Sequence, residues 1–260
     1  MDAGADLEAK ENEGWTPLHL CSYHGTTEIA KMLTSGGVDL DAETPAGWTP
    51  LHVCSQYGST EIGTVLLDWG AQVEARAKQE FTPLLAASLN GHLEVVSLLL
   101  DRGACIESRT KDRATPLIVA SQNGYHEIAA LLIERGANLE ARDHEKFTSL
   151  LRASEHGHSD CAVALVESGA NRAASTPNGY CIFHWAVKNN RTKTLAALLL
   201  TEAKYVMDSP DYDGCTPLHM AIIYGANNLA KLLIAAGAST TYKDNVRSLN
   251  AEFRCHVCAP

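Results

Sequence analysis

The sequence is short of the features that mark membrane, nucleic-acid-binding and secreted chains. No apolar run approaches the ~18–20 residues that a membrane-crossing helix needs, so no membrane insertion is expected. Positive charge is in deficit: 21 Lys and Arg stand against 31 Asp and Glu, a formal charge of −10. That balance opposes nucleic-acid phosphates and anionic lipid as main partners. The basic cluster Arg102, Arg109, Lys111 and Arg113 is interleaved with Glu107 and Asp112, the pattern of a solvated face. Aromatic residues make up only 6% of the chain, so where they stand is informative.

Catalytic and metal-binding patterns are also missing. The eight cysteines lack the spacing of a disulfide framework. Cys21 and Cys54 stand where related segments carry Ala87, Ala120, Ala153, Ala186 and Ala221, so they read as small buried residues. Free thiols of this kind fit a reducing cytoplasm. Cys255-His256-Val257-Cys258 is a lone metal-like pair without a second one, and no metal is expected there. His158 takes a Gly-His slot shared with Gly91-His92, which makes it a repeat position and not a ligand. No phosphate loop, nucleophile elbow or catalytic carboxylate pair is present, so neither an enzyme nor a cofactor is expected. The acidic start Met1-Asp2-Ala3-Gly4-Ala5-Asp6 does not have the character of a targeting peptide.

What the chain does have is a period of 33 residues. The Thr of Trp15-Thr16-Pro17-Leu18-His19 recurs as Thr49, Thr82, Thr115 and Thr148, then as Cys181, and 35 residues later as Thr216. The segments read WTPLH, WTPLH, FTPLL, ATPLI, FTSLL, YCIFH and CTPLH. Thr is suited to capping a helix start, and Pro fits the first turn, where its missing N–H costs nothing. A glycine follows about ten residues on, at Gly25, Gly58, Gly91, Gly124, Gly157 and Gly225, where a short helix should stop. A denser apolar helix comes next, such as Leu93 to Leu100, and then a Gly-Ala ending, as in Gly70-Ala71 or Gly136-Ala137. One short helix pair cannot bury its own apolar faces, so stability must come from stacking neighbours.

These motifs resemble ankyrin repeats, over seven units with part of another before them. The fold expected is an all-α ankyrin-repeat solenoid with hairpin arms and no real sheet. The units are residues 11–43, 44–76, 77–109, 110–142, 143–175, 176–210 and 211–243, with 1–10 as the end of a partial repeat and 244–260 as a C-terminal cap. The cap is expected from Leu249, Phe253 and Val257, four residues apart. Because residues 1–10 open inside a repeat, the chain is expected to be a fragment of a longer array. Unit six departs most from the pattern. Cys181 replaces Thr, Asn190 replaces the turn glycine, Glu202-Ala203 replaces Gly-Ala, and two residues are added. Its second helix is expected to run from Lys193 to about Lys204 or to end irregularly, making this junction the weak point or hinge.

The resemblance implies a non-catalytic interaction module, an adaptor or scaffold. The alternative is the targeting or regulatory region of a larger enzyme or channel. It also implies that a protein or peptide lies along the face made by hairpin tips and first helices. The residue before each anchor is such a tip: Trp15, Trp48, Phe81, Ala114, Phe147, Tyr180 and Cys215. First-helix positions add Tyr23, Tyr57 and Leu89. The expected binding residues are therefore Trp15, Tyr23, Trp48, Tyr57, Phe81, Leu89, Phe147 and Tyr180, with Glu13, Gln56, Gln79 and Asn90 as polar neighbours. Trp and Tyr are favoured at interfaces, and the acidic chain favours a partner of basic character. A monomer is expected.

An acidic column also recurs at the 33-residue step: Glu8, Asp41, Glu74, Glu107 and Glu140, several with a base two residues on. Ion pairing between units is the expected role. The asparagine hydroxylation known in the family is not expected in an arm whose matching residues are mostly acids.

Overall fold

The computed structural model describes residues 6–242. Among them the regular structure is fourteen α-helices with two short 3-10 turns and no strand. The residues form two compact bodies, one running through Val119 and the other from Ala120. The first holds α1 (Pro17–His24), α2 (Thr27–Ser35), α3 (Pro50–Tyr57), α4 (Thr60–Asp68), α5 (Pro83–Asn90) and α6 (Leu93–Asp101). Helix α7 (Pro116–Asn123) carries the boundary. The second holds α8 (His126–Glu134), α9 (Ser149–His156), α10 (Ser159–Glu167), α11 (Ile182–Lys188), α12 (Thr192–Leu199), α13 (Pro217–Ile223) and α14 (Asn227–Ala235).

Each first helix starts as its sequence dictates. Thr49 and Thr82 keep extended backbone, and their hydroxyls accept from the amides of His52 at 3.4 Å and Leu85 at 3.3 Å. Both helices then open on Pro. The turn glycine closes the helix with φ +75° at Gly58. A side chain there would also lie 2.5 Å from the His92 ring. In unit six Asn190 does this work at φ +54°, since Asn tolerates the left-handed region better than most residues.

The hairpin tips depart from that economy. Gly14, Gly47, Gly179 and Gly214 take positive φ at the second residue before the anchor, but units three to five place Glu80, Arg113 and Lys146 there at φ +61°, +62° and +70°. Such non-glycine residues cost of order 1 kcal/mol or more each.

Packing runs between like helices. In the first body α1, α3 and α5 pack in series, as do α2, α4 and α6; in the second, α9, α11 and α13 pack in series, as do α8, α10, α12 and α14. The rows meet over fully buried Leu51, Ile62, Leu66, Leu84, Val96 and Leu99 in the first body, and over Leu151, Leu165, Phe183 and Leu198 in the second. Each such side chain stabilises by about 1.5–3 kcal/mol, which a lone helix pair has too few of to offset ordering its backbone. Cys21 and Cys54 are buried as small residues, and burial pushes the Cys54 thiol up to about 12.

Polar bonds fix the spacing of the repeats. His92 and His158 hydrogen-bond through Nε2 to the carbonyls of Gln56 and Gln122, at 2.8 and 3.0 Å, which gives the Gly-His slot a structural task. The acidic column works differently from its expectation. The carboxylates of Glu8, Asp41, Glu74 and Glu140 accept the amides of Asp39, Gln72, Cys105 and Asn171, each 31 residues on, at 2.6–2.9 Å. Their partners are backbone N–H groups of the next arm, because an extended arm turns its free amides toward its neighbour. The accompanying bases Lys10 and Arg142 bond the carbonyls of Glu43 and Ser175 instead. In the basic cluster, Arg102 pairs with Asp68 at 2.9 Å.

Unit six ends irregularly, as its lost glycine implies. Helix α12 stops at Leu199 and does not reach Lys204. Thr201 then accepts the Ala203 amide and starts a separate 3-10 turn, Glu202–Val206. The expected C-terminal cap at 244–260 lies outside the described residues, as does the Cys255–Cys258 pair.

Candidate interaction surface

The surface begins with the anchor motif, because its histidine, where present, holds the backbone of the next tip residue. In unit one, His19 Nδ1 accepts from the Thr16 amide at 3.2 Å and from the Thr16 hydroxyl at 2.9 Å. An imidazole that accepts at Nδ1 keeps its proton on Nε2, and His19 Nε2 donates it to the carbonyl of Trp48 at 2.9 Å. His52 repeats this with Thr49 and the carbonyl of Phe81 at 3.0 Å. In unit six Cys181 Sγ stands in for the hydroxyl, 3.1 Å from His184 Nδ1, and His184 Nε2 reaches the Cys215 carbonyl at 2.9 Å. The tip residues Trp48, Phe81 and Cys215 are thus pinned by their backbones, whereas units three to five carry Leu85, Ile118 and Leu151 in place of the histidine. His219 has the same local bonds, but its buried Nε2 has no partner among the described residues. Burial lowers the pKa of His19, His52 and His184, with His52 brought to about 4.

In the first body the tips and first helices bring aromatic side chains together. Tyr23 and Tyr57, one repeat apart, meet edge to face with ring centres 4.6 Å apart. Trp15 meets Tyr23 edge-on at 5.8 Å, and His24 flanks Tyr23 at 4.7 Å. Both tyrosines are exposed, as is Leu89. Trp15, Trp48 and Phe81 are half-buried, with Trp48 5.6 Å from the His52 ring. Glu13 is exposed beside Trp15, while Gln56 and Asn90 are half-buried on the first helices and Gln79 stands at the third tip.

The second body presents a different face. Phe147 is only 5% exposed, which withdraws it from any contact surface. The Arg152 guanidinium covers its ring at 3.9 Å and Trp185 packs against it at 4.9 Å. Arg152 is held by Asp143, Glu145 and Glu155 at 2.5–2.8 Å. Tyr180 is half-buried, stacked on His184 at 5.4 Å with Lys188 5.3 Å from its ring. Sequence reading had missed Arg152 and Trp185. Both stand at the fourth residue after the anchor, a position held by small or aliphatic Val53, Ala86 and Val119 elsewhere, and that departure was the available signal.

No group of three or more His, Cys, Asp or Glu among the described residues is arranged to hold a metal ion. No helix among them is long and apolar enough to cross a membrane.

The repeat geometry and the anchor motif define a class. A family model described as ankyrin repeats (three copies) matches residues 1–77, 72–143 and 150–244, and the chain belongs to that family. Ankyrin repeats are in general protein-interaction modules and not catalysts. Among individual proteins, the chain is similar to the nuclear factor NF-kappa-B p105 subunit of Mus musculus, 44% identical over 66 residues. That stretch is 25% of this chain and 7% of the mouse protein.

Proposed function

We propose that the chain is a non-catalytic adaptor or scaffold whose protein partner seats on the tip and first-helix face of the N-terminal body. The observation that carries this reading is the aromatic cluster of Trp15, Tyr23 and Tyr57, which leaves two tyrosines exposed side by side on the first helices. Aromatic anchors of this kind carry a large share of interface energy. Trp48, Phe81 and Leu89 extend the face across the next two repeats. Exposed Glu11, Glu13 and Glu43 border it, and the chain's charge of −10 adds to them, so the partner's contacting segment is basic. The protein acts as a monomer in the cytoplasm, where its free thiols stay reduced.

The test is capture of partners by the full chain and by a Tyr23→Ala, Tyr57→Ala double variant, read by quantitative mass spectrometry. Proteins retained by the wild type and lost at least about tenfold by the variant are expected, with the melting temperature within a few degrees. Equal retention of every captured protein would remove this face as the binding site.

A further inference from the structure

Several departures from the 33-residue period fall at one place in the second body. The fourth residue after the anchor is Leu20, Val53, Ala86, Val119 and Met220 in five units, but Arg152 and Trp185 in units five and six. The seventh residue is an acid in unit five alone, as Glu155. With the tip residues Glu145, Pro177 and Asn178, Glu155 and Trp185 line a cavity of about 310 Å³ that opens at the surface.

The charges around this cavity do not balance. Arg152 bonds Asp143 Oδ2 through both Nε and Nη2, at 2.8 and 2.6 Å, and that buried carboxylate already answers its charge. Glu155 and Glu145 join the same guanidinium through Oε2, at 2.8 and 2.5 Å, which leaves Oε1 of each to a second donor. Lys188 stands nearby, with Nζ over the Trp185 ring at 4.6 Å, and pairs with neither glutamate among the described residues. His156 lies 3.5 Å from Glu155, but burial lowers its pKa and keeps it neutral at pH 7. Surplus negative charge beside a cavity draws a cation.

The Trp185 indole adds a second requirement. It is 9% exposed, and its Nε1–H is buried with no acceptor among the described residues. A buried donor without a partner is costly, and a ligand that brings a carbonyl along with its cation answers it. A basic residue within a peptide has both groups. Arg152 shows which basic residue suits these side chains: its guanidinium lies over the Phe147 ring at 3.9 Å while bonding both glutamates. A flat fork of donors can stack and bridge together, which the compact ammonium of lysine cannot.

We propose that the cavity between Glu145, Glu155 and Trp185 is a recognition site for an arginine side chain of a protein partner, its guanidinium bridging the two glutamates and its peptide carbonyl accepting the Trp185 N–H. The site uses no residue of the aromatic face in the first body, and it stands whether or not a partner seats on that face.

The probe is an acetylated and amidated Gly-Arg-Gly peptide titrated into the full chain. The readout is the Trp185 indole N–H resonance, assigned by its loss in Trp185→Phe. A saturable shift is expected, with a dissociation constant on the order of 1 mM. Citrulline in place of arginine keeps the shape, removes the charge and should weaken binding by about tenfold or more. Lysine in that place should weaken it by about threefold or more, as should free arginine, which brings its own carboxylate to the acidic rim. The Glu145→Gln, Glu155→Gln double variant should lose about tenfold. Glu145→Gln alone, on an exposed tip, should lose about threefold and keeps the test open if the double variant folds poorly. The Tyr23→Ala, Tyr57→Ala variant should bind the peptide as the wild type does. The proposal is overturned if no saturable shift appears, if the citrulline or lysine peptide or free arginine binds as tightly, or if the glutamate variants keep full affinity. It is equally overturned if the tyrosine variant loses the peptide, because the first body then holds it.

Discussion

Leu99→Ala should lower the stability of the first body by about 3 kcal/mol, within the range of about 2–5 kcal/mol for buried Leu truncations. Leu99 is fully buried in α6, in the row where α4 and α6 pack. Removing its three outer carbons leaves a cavity that α6 cannot collapse, because the ends of the helix are tied. The Leu99 carbonyl accepts the amides of Arg102 and Ala104, which start the next arm. At about 2–4 °C per kcal/mol for a chain of this size, the transition that reports on the first body should fall by roughly 10 °C. Leu100→Ala, one residue on and only half-buried, should cost much less. Equal losses for the two would mean that α6 does not face the core as described.

Mild acid should destabilise the fold through its anchor histidines before carboxylates are titrated. His52 is the strongest case, brought from 6.5 to about 4, mainly by burial, with His19 and His184 lowered in the same direction and for the same first cause. The bonding adds a reason: a proton on Nδ1 would point at the threonine amide and hydroxyl that now donate to it. Since the folded pKa lies below the unfolded one, the neutral form carries the stability. That contribution is whole above pH 6.5 and is lost as the pH falls from 6.5 toward 4, because the unfolded chain takes up the proton first. At pH 5 the His52 share amounts to about 2 kcal/mol. Urea midpoints at pH 7.5 and 5.0 should therefore separate clearly in the wild type and less in His52→Leu, which installs the residue that unit three carries as Leu85. The same separation in both would show that His52 does not titrate between the two pH values.

Much of the fold was legible because each rule is stated several times over. Thr before Pro, Gly ten residues on and an apolar second helix recur with enough copies for one substitution to stand out, and Asn190 in a glycine slot was such a case. The end of α12 was half legible: loss of Gly-Ala predicts an irregular stop, but Thr201 acting as a new cap depends on a local turn that the period does not encode. The acidic column was visible as a column and misread in its partners, since periodicity counts side chains while the groups that answer them are backbone amides. The anchor histidine was visible only as a letter of the motif. Its bond to the next tip lies 29 residues away and needs the stacking geometry to appear.

The candidate surface was legible in one body and less so in the other. Tyr23 and Tyr57 stand on the first helices of neighbouring repeats, seven and eight residues after their anchors, and meet edge to face. Phe147 sits in the same tip slot as Trp15 and Trp48, yet it is covered, because Arg152 and Trp185 replace the small residues that leave the other tips open. Tip position alone therefore does not decide exposure. For Phe147 the cover of Arg152 and Trp185 decides it, while Tyr180, with Trp185 in its own first helix, stays half-buried.

The most direct measurement of an interface on the N-terminal face is the affinity of Trp48→Ala for a partner captured by the wild-type chain, set beside its melting temperature. The indole is half-buried and its backbone carbonyl is held by His19, a bond that Ala retains. Binding should weaken by about tenfold or more, while melting should fall by far less than in Leu99→Ala. Melting as damaged as in Leu99→Ala would make the indole a packing residue, and unchanged affinity with unchanged melting would place the partner on another surface.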